Sequence, residues 1–278
     1  VGTACNFSCA HCCSAYEGDR RLSGDEIASI VNTINTRRIY SLYFVGGETT
    51  LYIPEINNIL SGVNRIDSTK VHIITNGYFA INSKAAEQVL SSFLTLTSLS
   101  LSYDKYHKKF LPLSSVKMLY NACVKKKIKF NVSVAISSPL DLSLLNHLTK
   151  IGNFPINIQG VMSAGRAKDN ITLEYPCLDK DVLSRGCPIN KKLFYLCGRG
   201  YSTCCGSLIL NRNATEAFVK PKCDDYLASN FYKIISKYSF GELLDKYNIP
   251  KNNLHPKYSV NCNLCEYIFR NAQVIRDL

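Results

Sequence analysis

The chain has 278 residues, 46% of them apolar, which allows one large core or a barrel with a smaller module beside it. Thirteen cysteines grouped toward the two ends of a chain this long argue for metal or redox chemistry rather than a disulfide framework, and so for a reducing cytoplasm. No signal peptide is visible and no run approaches the ~18 apolar residues of a membrane span. The formal charge is +12, with lysines grouped at Lys125–Lys127 with Lys129, at Lys191–Lys192, and at Lys220 with Lys222. Such runs are ordinarily solvated surface; their functional reading is attraction of an anionic partner. No nucleic-acid-binding consensus accompanies them, so an acidic peptide explains the charge at least as well as nucleic acid.

In chain order, a strand is expected before Cys5, cut short by the start at Val1. Ser23-x-x-Glu26 predicts a capping box opening a helix to about Thr36. A strand follows at Ser41–Val45, ending in Gly46-Gly47-Glu48, then a helix near Pro54–Val63. Lys70–Thr75 reads as a strand ending at Asn76-Gly77, followed by a helix from Ser83 to Phe93. Ser98–Ser102 alternates as a strand, Ser114–Lys127 is helical, and Phe130–Ile136 alternates again. A short helix at Leu142–Lys150 and a strand at Ile156–Met162 complete six β–α units, the pattern of a parallel sheet with helices outside. The expected fold is therefore α/β, a partial (β/α)6 TIM-type barrel over residues 1–169. Residues 170–278 read as a cysteine-rich module, with a hairpin of Lys192–Leu196 and Tyr201–Cys204 about Gly198-Arg199-Gly200. A helix at Phe240–Tyr247 and a terminal helical stretch after Cys262-Asn-Leu-Cys265 follow.

The most informative spacing is Cys5-x-x-x-Cys9-x-x-Cys12 in CNFSCAHC. Three thiolates on a short loop can hold three irons of a 4Fe–4S cluster and leave the fourth iron open. A zinc knuckle or a set of buried thiols is the plainer reading, but zinc sites usually pair C-x2-C with a second pair downstream. With Asn6 after the first cysteine and His11 before the third, the loop resembles that of radical SAM enzymes. In that family the open iron chelates S-adenosylmethionine, and one electron from a donor cleaves it to a 5′-deoxyadenosyl radical. Gly46-Gly47-Glu48 matches the family's GGE motif, although Thr49 replaces the commoner proline. The resemblance implies that these glycines let backbone approach the SAM amino group and that Glu48 offsets its charge.

Ligands of parallel barrels sit at the C-terminal rim of the strands. The rim here carries Gly46, Gly47, Glu48, Asn76, Ser102, Asp104 and the turn Gly165-Arg166, while Asn131 and Ser133 share a strand face. Asn76, Ser102, Asp104, Asn131 and Ser133 are candidate SAM contacts; polar residues satisfying strand ends is the alternative.

A second set comprises Cys187, Cys197, Cys204, Cys205, Cys223, Cys262 and Cys265. It can bind zinc or an auxiliary 4Fe–4S cluster, and the expected ligands are Cys187, Cys204, Cys262 and Cys265, with Cys197 the competitor. Cys123 and Cys177 read as ordinary thiols. Adjacent residues on a strand face opposite ways, so if one sulfur of Cys204-Cys205 is a ligand, its neighbour is directed elsewhere, as a thiol able to give a hydrogen atom or as a spare cysteine.

Five segments, CNFSCAHCC, VGGE, TNGYF, SLSYDKYH, and Cys187-Pro188 with TCC and CNLC, resemble the radical SAM peptide epimerases of the epipeptide class. The resemblance implies Cα hydrogen abstraction from an L-residue of a ribosomally made precursor peptide, with Cys204 as auxiliary ligand and Cys205 as hydrogen donor. One departure is the run Ile-Asn-Lys-Lys after Pro188, which lacks an expected acidic residue. A peptide maturase forming thioether or carbon–carbon crosslinks, and a non-enzymatic metal-binding module, are the alternatives.

Overall fold

Ser23 starts the first helix as its spacing predicts. Its hydroxyl accepts from Glu26 N–H (3.2 Å), and Glu26 accepts from Ser23 N–H (2.8 Å), opening α1, Gly24–Thr36. The structure is a computed structural model that describes residues 1–13, 18–188, 192–210 and 216–278. The chain divides into two units, Val1–Val161 and Met162–Leu278, where the expected boundary fell after 169.

In the first unit β1 (Ser41–Phe44), α2 (Ile53–Ser61), β2 (Lys70–Thr75), α3 (Ser83–Ser91) and β3 (Ser98–Ser102) follow in series. Then come α4 (Leu113–Lys125), β4 (Lys129–Ile136), α5 (Leu145–Leu148) and β5 (Ile156–Gly160). The strands form a five-stranded parallel sheet in the order β1-β2-β3-β4-β5. The expected sixth strand is reduced to Val1–Ala4, hydrogen-bonded beyond the end of β1 to Val45, Gly47 and Glu48.

Alternation along the strands divides the sheet. Phe44, Val71, Ile73, Leu99, Leu101, Val132 and Val134 are buried on one face, together with Ile56, Ile59 and Leu60 of α2 and Val116, Leu119 and Cys123 of α4. Each fully buried aliphatic chain there is worth ~1.5–3 kcal/mol over exposure. The opposite face carries Tyr43, His72, Ser100, Asn131 and Ser133, all exposed or half-buried. All-parallel sheets are ordinarily covered on both faces, so this polar face departs from that rule.

The second unit contains α6 (Arg166–Asn170), the antiparallel hairpin β6 (Phe194–Leu196) and β7 (Gly200–Ser202), and α7 (Ser207–Leu210). After these run α8 (Cys223–Ala228), α9 (Asn230–Lys237), α10 (Phe240–Lys246), α11 (Asn261–Phe269) and α12 (Ala272–Arg276). Tyr226, Phe231, Phe240, Leu264, Ile268 and Phe269 form its core. Because β7 ends at Ser202, Cys204 and Cys205 lie beyond the strand, in the irregular connection before α7. Opposite-facing strand neighbours therefore do not describe this pair. No helix among the described residues is long and apolar enough to cross a membrane.

Candidate functional site

The cysteine loop is tied at its neck. Gly2 bridges Arg21, and Thr3 N–H donates to Arg20 O (3.0 Å). The buried Tyr52 hydroxyl accepts from Ala4 N–H (2.6 Å) and donates to Asp19 Oδ1 (2.9 Å). Burial and the Asp19 carboxylate push that phenol up to about 12. On the other side Gly47 N–H donates to Gly2 O (3.0 Å) and Glu48 N–H to Ala4 O (2.8 Å). A Cβ on Gly46 would lie 2.6 Å from Gly2 O, and one on Gly47 2.0 Å from Ala4 O. The approach of the N-terminal backbone to these two positions is enough by itself to require glycine at both.

Cys9 and Cys12 sit close enough to Cys5 for their charge to oppose its ionisation. Burial raises the Cys5 thiol, Phe7 N–H (3.4 Å from Sγ) opposes this, and negative charge on Glu48, Cys12 and Cys9 raises it further. Converging thiols that repel as thiolates call for a cation among them, and this donor set fits an iron–sulfur cluster.

The polar tips support that loop. Glu48 is buried, and its Oε1 accepts from Thr50 N–H (3.0 Å), Thr50 Oγ1 (2.6 Å) and Thr75 Oγ1 (2.6 Å). Its Oε2 accepts from Asn76 N–H alone among the described residues (2.8 Å), which leaves an acceptor site for a cationic ligand group. Asn76 Nδ2 reaches back to Asn6 Oδ1 (3.0 Å) and Cys5 Sγ (3.7 Å).

Asp104, expected at the cofactor, is instead turned onto the loop. Its buried carboxylate accepts from Tyr106 N–H (2.9 Å), His107 N–H (3.1 Å) and His107 Nδ1 (2.9 Å), and pairs with His11 Nε2 (3.2 Å). Burial works against its charge, but the two imidazoles hold it well below the usual carboxylate range. Burial likewise works against protonated His107, yet its bonds to Asp104 and Cys9 push it up to about 9.

On the open sheet face, Ser102 pairs in register with Ser133. Ser100 Oγ donates to Asn131 Oδ1 (2.7 Å) and lies 3.0 Å from Ser133 Oγ, while Asn157 Nδ2 also donates to Asn131 Oδ1 (3.2 Å). These groups satisfy one another as a polar ladder, the plainer of the two readings, while remaining half-exposed. Gly165 lies in the second unit, at φ 55°, just before α6.

The four expected auxiliary ligands come together from three separate segments. Cys187 precedes the hairpin, Cys204 follows it, and Cys262 and Cys265 lie on α11. Burial pushes the Cys204 thiol up to about 12; Gly206 N–H opposes this, and Cys205, Cys262 and Cys187 add to it. Burial, with Cys204, Cys187 and Cys262, holds Cys265 well above the ordinary thiol range. Cys197 sits in the hairpin turn, Cys123 in the first unit's core, and Cys177 is exposed. The run Ile189–Lys191 lies outside the described residues.

Comparison with known proteins agrees with the first of these centres. Residues 2–115 match the family model described as a 4Fe-4S single cluster domain. The match gives the part of the chain that carries the cysteine loop a likeness to domains that hold one 4Fe–4S cluster. Over 99% of its length the chain is 24% identical to the putative peptide biosynthesis protein YydG of Bacillus subtilis (strain 168), covering 92% of that protein. It is also 25% identical, over 63% of its length and 56% of the relative's, to the GTP 3',8-cyclase of Limosilactobacillus fermentum. Among solved structures, the radical S-adenosylmethionine methyltransferase TsrM from Kitasatospora setae aligns at TM-score 0.41 and 14% identity, over 57% of this chain and 35% of that one.

Sequence reasoning missed the grip of residues 104–107 on the loop. SYDKYH was visible as a motif, but the target of its carboxylate was not.

Proposed function

We propose that the chain inverts the Cα of a residue in a ribosomally made precursor peptide from L to D. The observation that carries this reading is Cys205, a thiol next to Cys204 within the gathering of Cys187, Cys204, Cys262 and Cys265. Similarity to YydG along nearly the whole chain supports a peptide substrate.

The bound cluster and SAM supply an adenosyl radical that removes hydrogen from carbon. Cys5, Cys9 and Cys12 hold that cluster, with Asn76 and Asn6 fixing the position of Cys5. Glu48 Oε2 offers its remaining acceptor site to the SAM ammonium. Cys187, Cys204, Cys262 and Cys265 hold a second 4Fe–4S cluster. Cys205 gives its S–H hydrogen to the planar Cα centre from the face opposite abstraction, and the sulfur then regains one electron and one proton from the electron donor. The residue keeps its composition and changes its hand.

The test is Cys205→Ala in the reconstituted protein with SAM, reductant and the candidate peptide. Both iron–sulfur centres and SAM cleavage should persist, while D-residue formation falls to background. In heavy water the product of the parent protein should gain one deuterium at Cα, because a thiol hydrogen exchanges with solvent. Normal epimerisation by Cys205→Ala, or a product lacking two hydrogens as a crosslink does, would overturn the assignment.

A further inference from the structure

The two ends of the parallel sheet carry different charge. The connections that lead from each helix of the first unit into the next strand run over residues 37–40, 62–69, 92–97, 126–128 and 149–155. They hold the cations Arg37, Arg38, Arg65, Lys126, Lys127 and Lys150 against a single acid, Asp67. Two of the strands they feed, β2 and β4, also open on lysine, at Lys70 and Lys129. Because all five strands are parallel, these residues gather at the N-terminal end of the sheet. The connections at the other end, beside the cysteine loop, run over 45–52, 76–82, 103–112 and 137–144. There Lys105, Lys108 and Lys109 are balanced by Glu48, Asp104 and Asp141. The imbalance is felt within the sheet: the imidazole of His72 is held below its ordinary value, first by burial and then by Lys70 and Lys129.

Cations at helix C-termini are ordinary, since they complement the helix dipole, and Arg37 and Lys126, which cap α1 and α4, fill that role. The residues that follow them are not ordinary. Among the described residues the non-glycines with positive φ are Asn248 and Asn253, a type that tolerates it, and Arg38 (φ 52°) and Lys127 (φ 57°). The position after a helix cap usually takes glycine when the backbone turns left-handed. At both places the chain keeps a positive charge where glycine would relieve the backbone. Apolar groups stand among the charges: Tyr40, Leu94 and Val124 are 43%, 58% and 57% exposed. Arg65 holds Tyr40, donating to its hydroxyl with the guanidinium 5.9 Å from the ring centroid. Leu94 is fixed through its N–H, which donates to Asn57 Oδ1 of α2 (2.9 Å).

We propose that the N-terminal end of this sheet docks the protein on an anionic lipid surface, with the cysteine loop at the opposite end turned to solution. Cations spread over four connections, with apolar side chains between them, suit a fluid surface. Its anionic headgroups move to the charges while the apolar tips enter the headgroup boundary. A peptide of fixed sequence has to be ordered to match so dispersed a set, and that ordering costs affinity. The inference goes beyond the peptide reading and holds whatever reaction the cysteine loop serves.

The test is co-sedimentation of the full chain, reconstituted anaerobically with iron and sulfide, with vesicles of phosphatidylcholine alone or mixed with phosphatidylglycerol. The parent should bind the mixed vesicles, bind the plain ones far more weakly, and be released as salt rises, because exposed charges are screened beyond ~8 Å at physiological ionic strength. Arg38→Gly combined with Lys127→Gly removes two charges and relieves two left-handed residues, so thermal stability should hold or rise. Its affinity for the mixed vesicles should fall about 30-fold, the effect of two cations near an anionic surface. Lys108→Ala combined with Lys109→Ala, an equal change of charge at the other end, should leave that affinity unchanged. Equal affinity in the parent and the glycine pair, no preference for phosphatidylglycerol, or an equal loss in the Lys108 and Lys109 pair would overturn the proposal. So would binding of polyglutamate that the glycine pair weakens, with no binding to the mixed vesicles, which would give this end to an acidic protein instead.

Discussion

The two gatherings of cysteine differ in how the chain makes them. The N-terminal one is local: Cys5, Cys9 and Cys12 lie on one loop, surrounded by Glu48, Asn76, Asp104, His11 and His107. The C-terminal one is assembled at a distance, with Cys187, Cys204, Cys262 and Cys265 arriving from two irregular segments and a helix within an apolar core. Three donors in a polar setting suit a centre with an open position that meets charged ligands. Four donors in an apolar setting suit a closed centre. Local spacing brings the three donors of the first gathering onto one loop, whereas the second depends on the packing of its whole unit.

The largest test of that contrast replaces Cys5, Cys9 and Cys12 together with Ala. Formation of 5′-deoxyadenosine should drop to background while iron analysis still finds one centre; loss of both would show that the two are not independent. Next comes Phe269→Ala. Phe269 is fully buried in α11 against Phe231 (5.1 Å between centroids), and such truncations cost ~3–5 kcal/mol. Chemical denaturation should show early unfolding of the second unit and loss of its iron, with SAM binding to the loop cluster retained. The smallest effect belongs to Gly206→Ala. A Cβ there would stand 2.8 Å from Cys262 Sγ, so ~1–3 kcal/mol of overpacking should lower occupancy of the second centre and leave the first unchanged.

Local information was legible in the sequence. The strands Lys70–Thr75 and Ser98–Ser102 were marked to the residue, and Ser23-x-x-Glu26 marks a helix start found in the structure. The helices α8 and α9 went unread, although Phe231, Ile234 and Ile235 have helical spacing, because they are short and meet at a shared Ser229. The direction of Asp104 was not readable, since it is set by His11 on a loop far away in sequence. Nor was the role of Gly46 and Gly47: close approach was expected, but what approaches is set by the N-terminal backbone. The nearness of Cys187, Cys204, Cys262 and Cys265 followed from residue type and spacing, whereas the place of Cys204-Cys205 outside a strand did not, because β7 stops at Ser202.

The tied neck of the cysteine loop bears on how a metal centre is loaded. Tyr52, with Ala4 and Asp19 on its hydroxyl and the Gly2–Arg21 bridge beside it, closes the loop using protein bonds alone. Closing a loop of that length is an entropic cost that an incoming metal would otherwise have to meet. With the neck already shut by protein bonds, less of that cost falls on the iron and sulfide that enter.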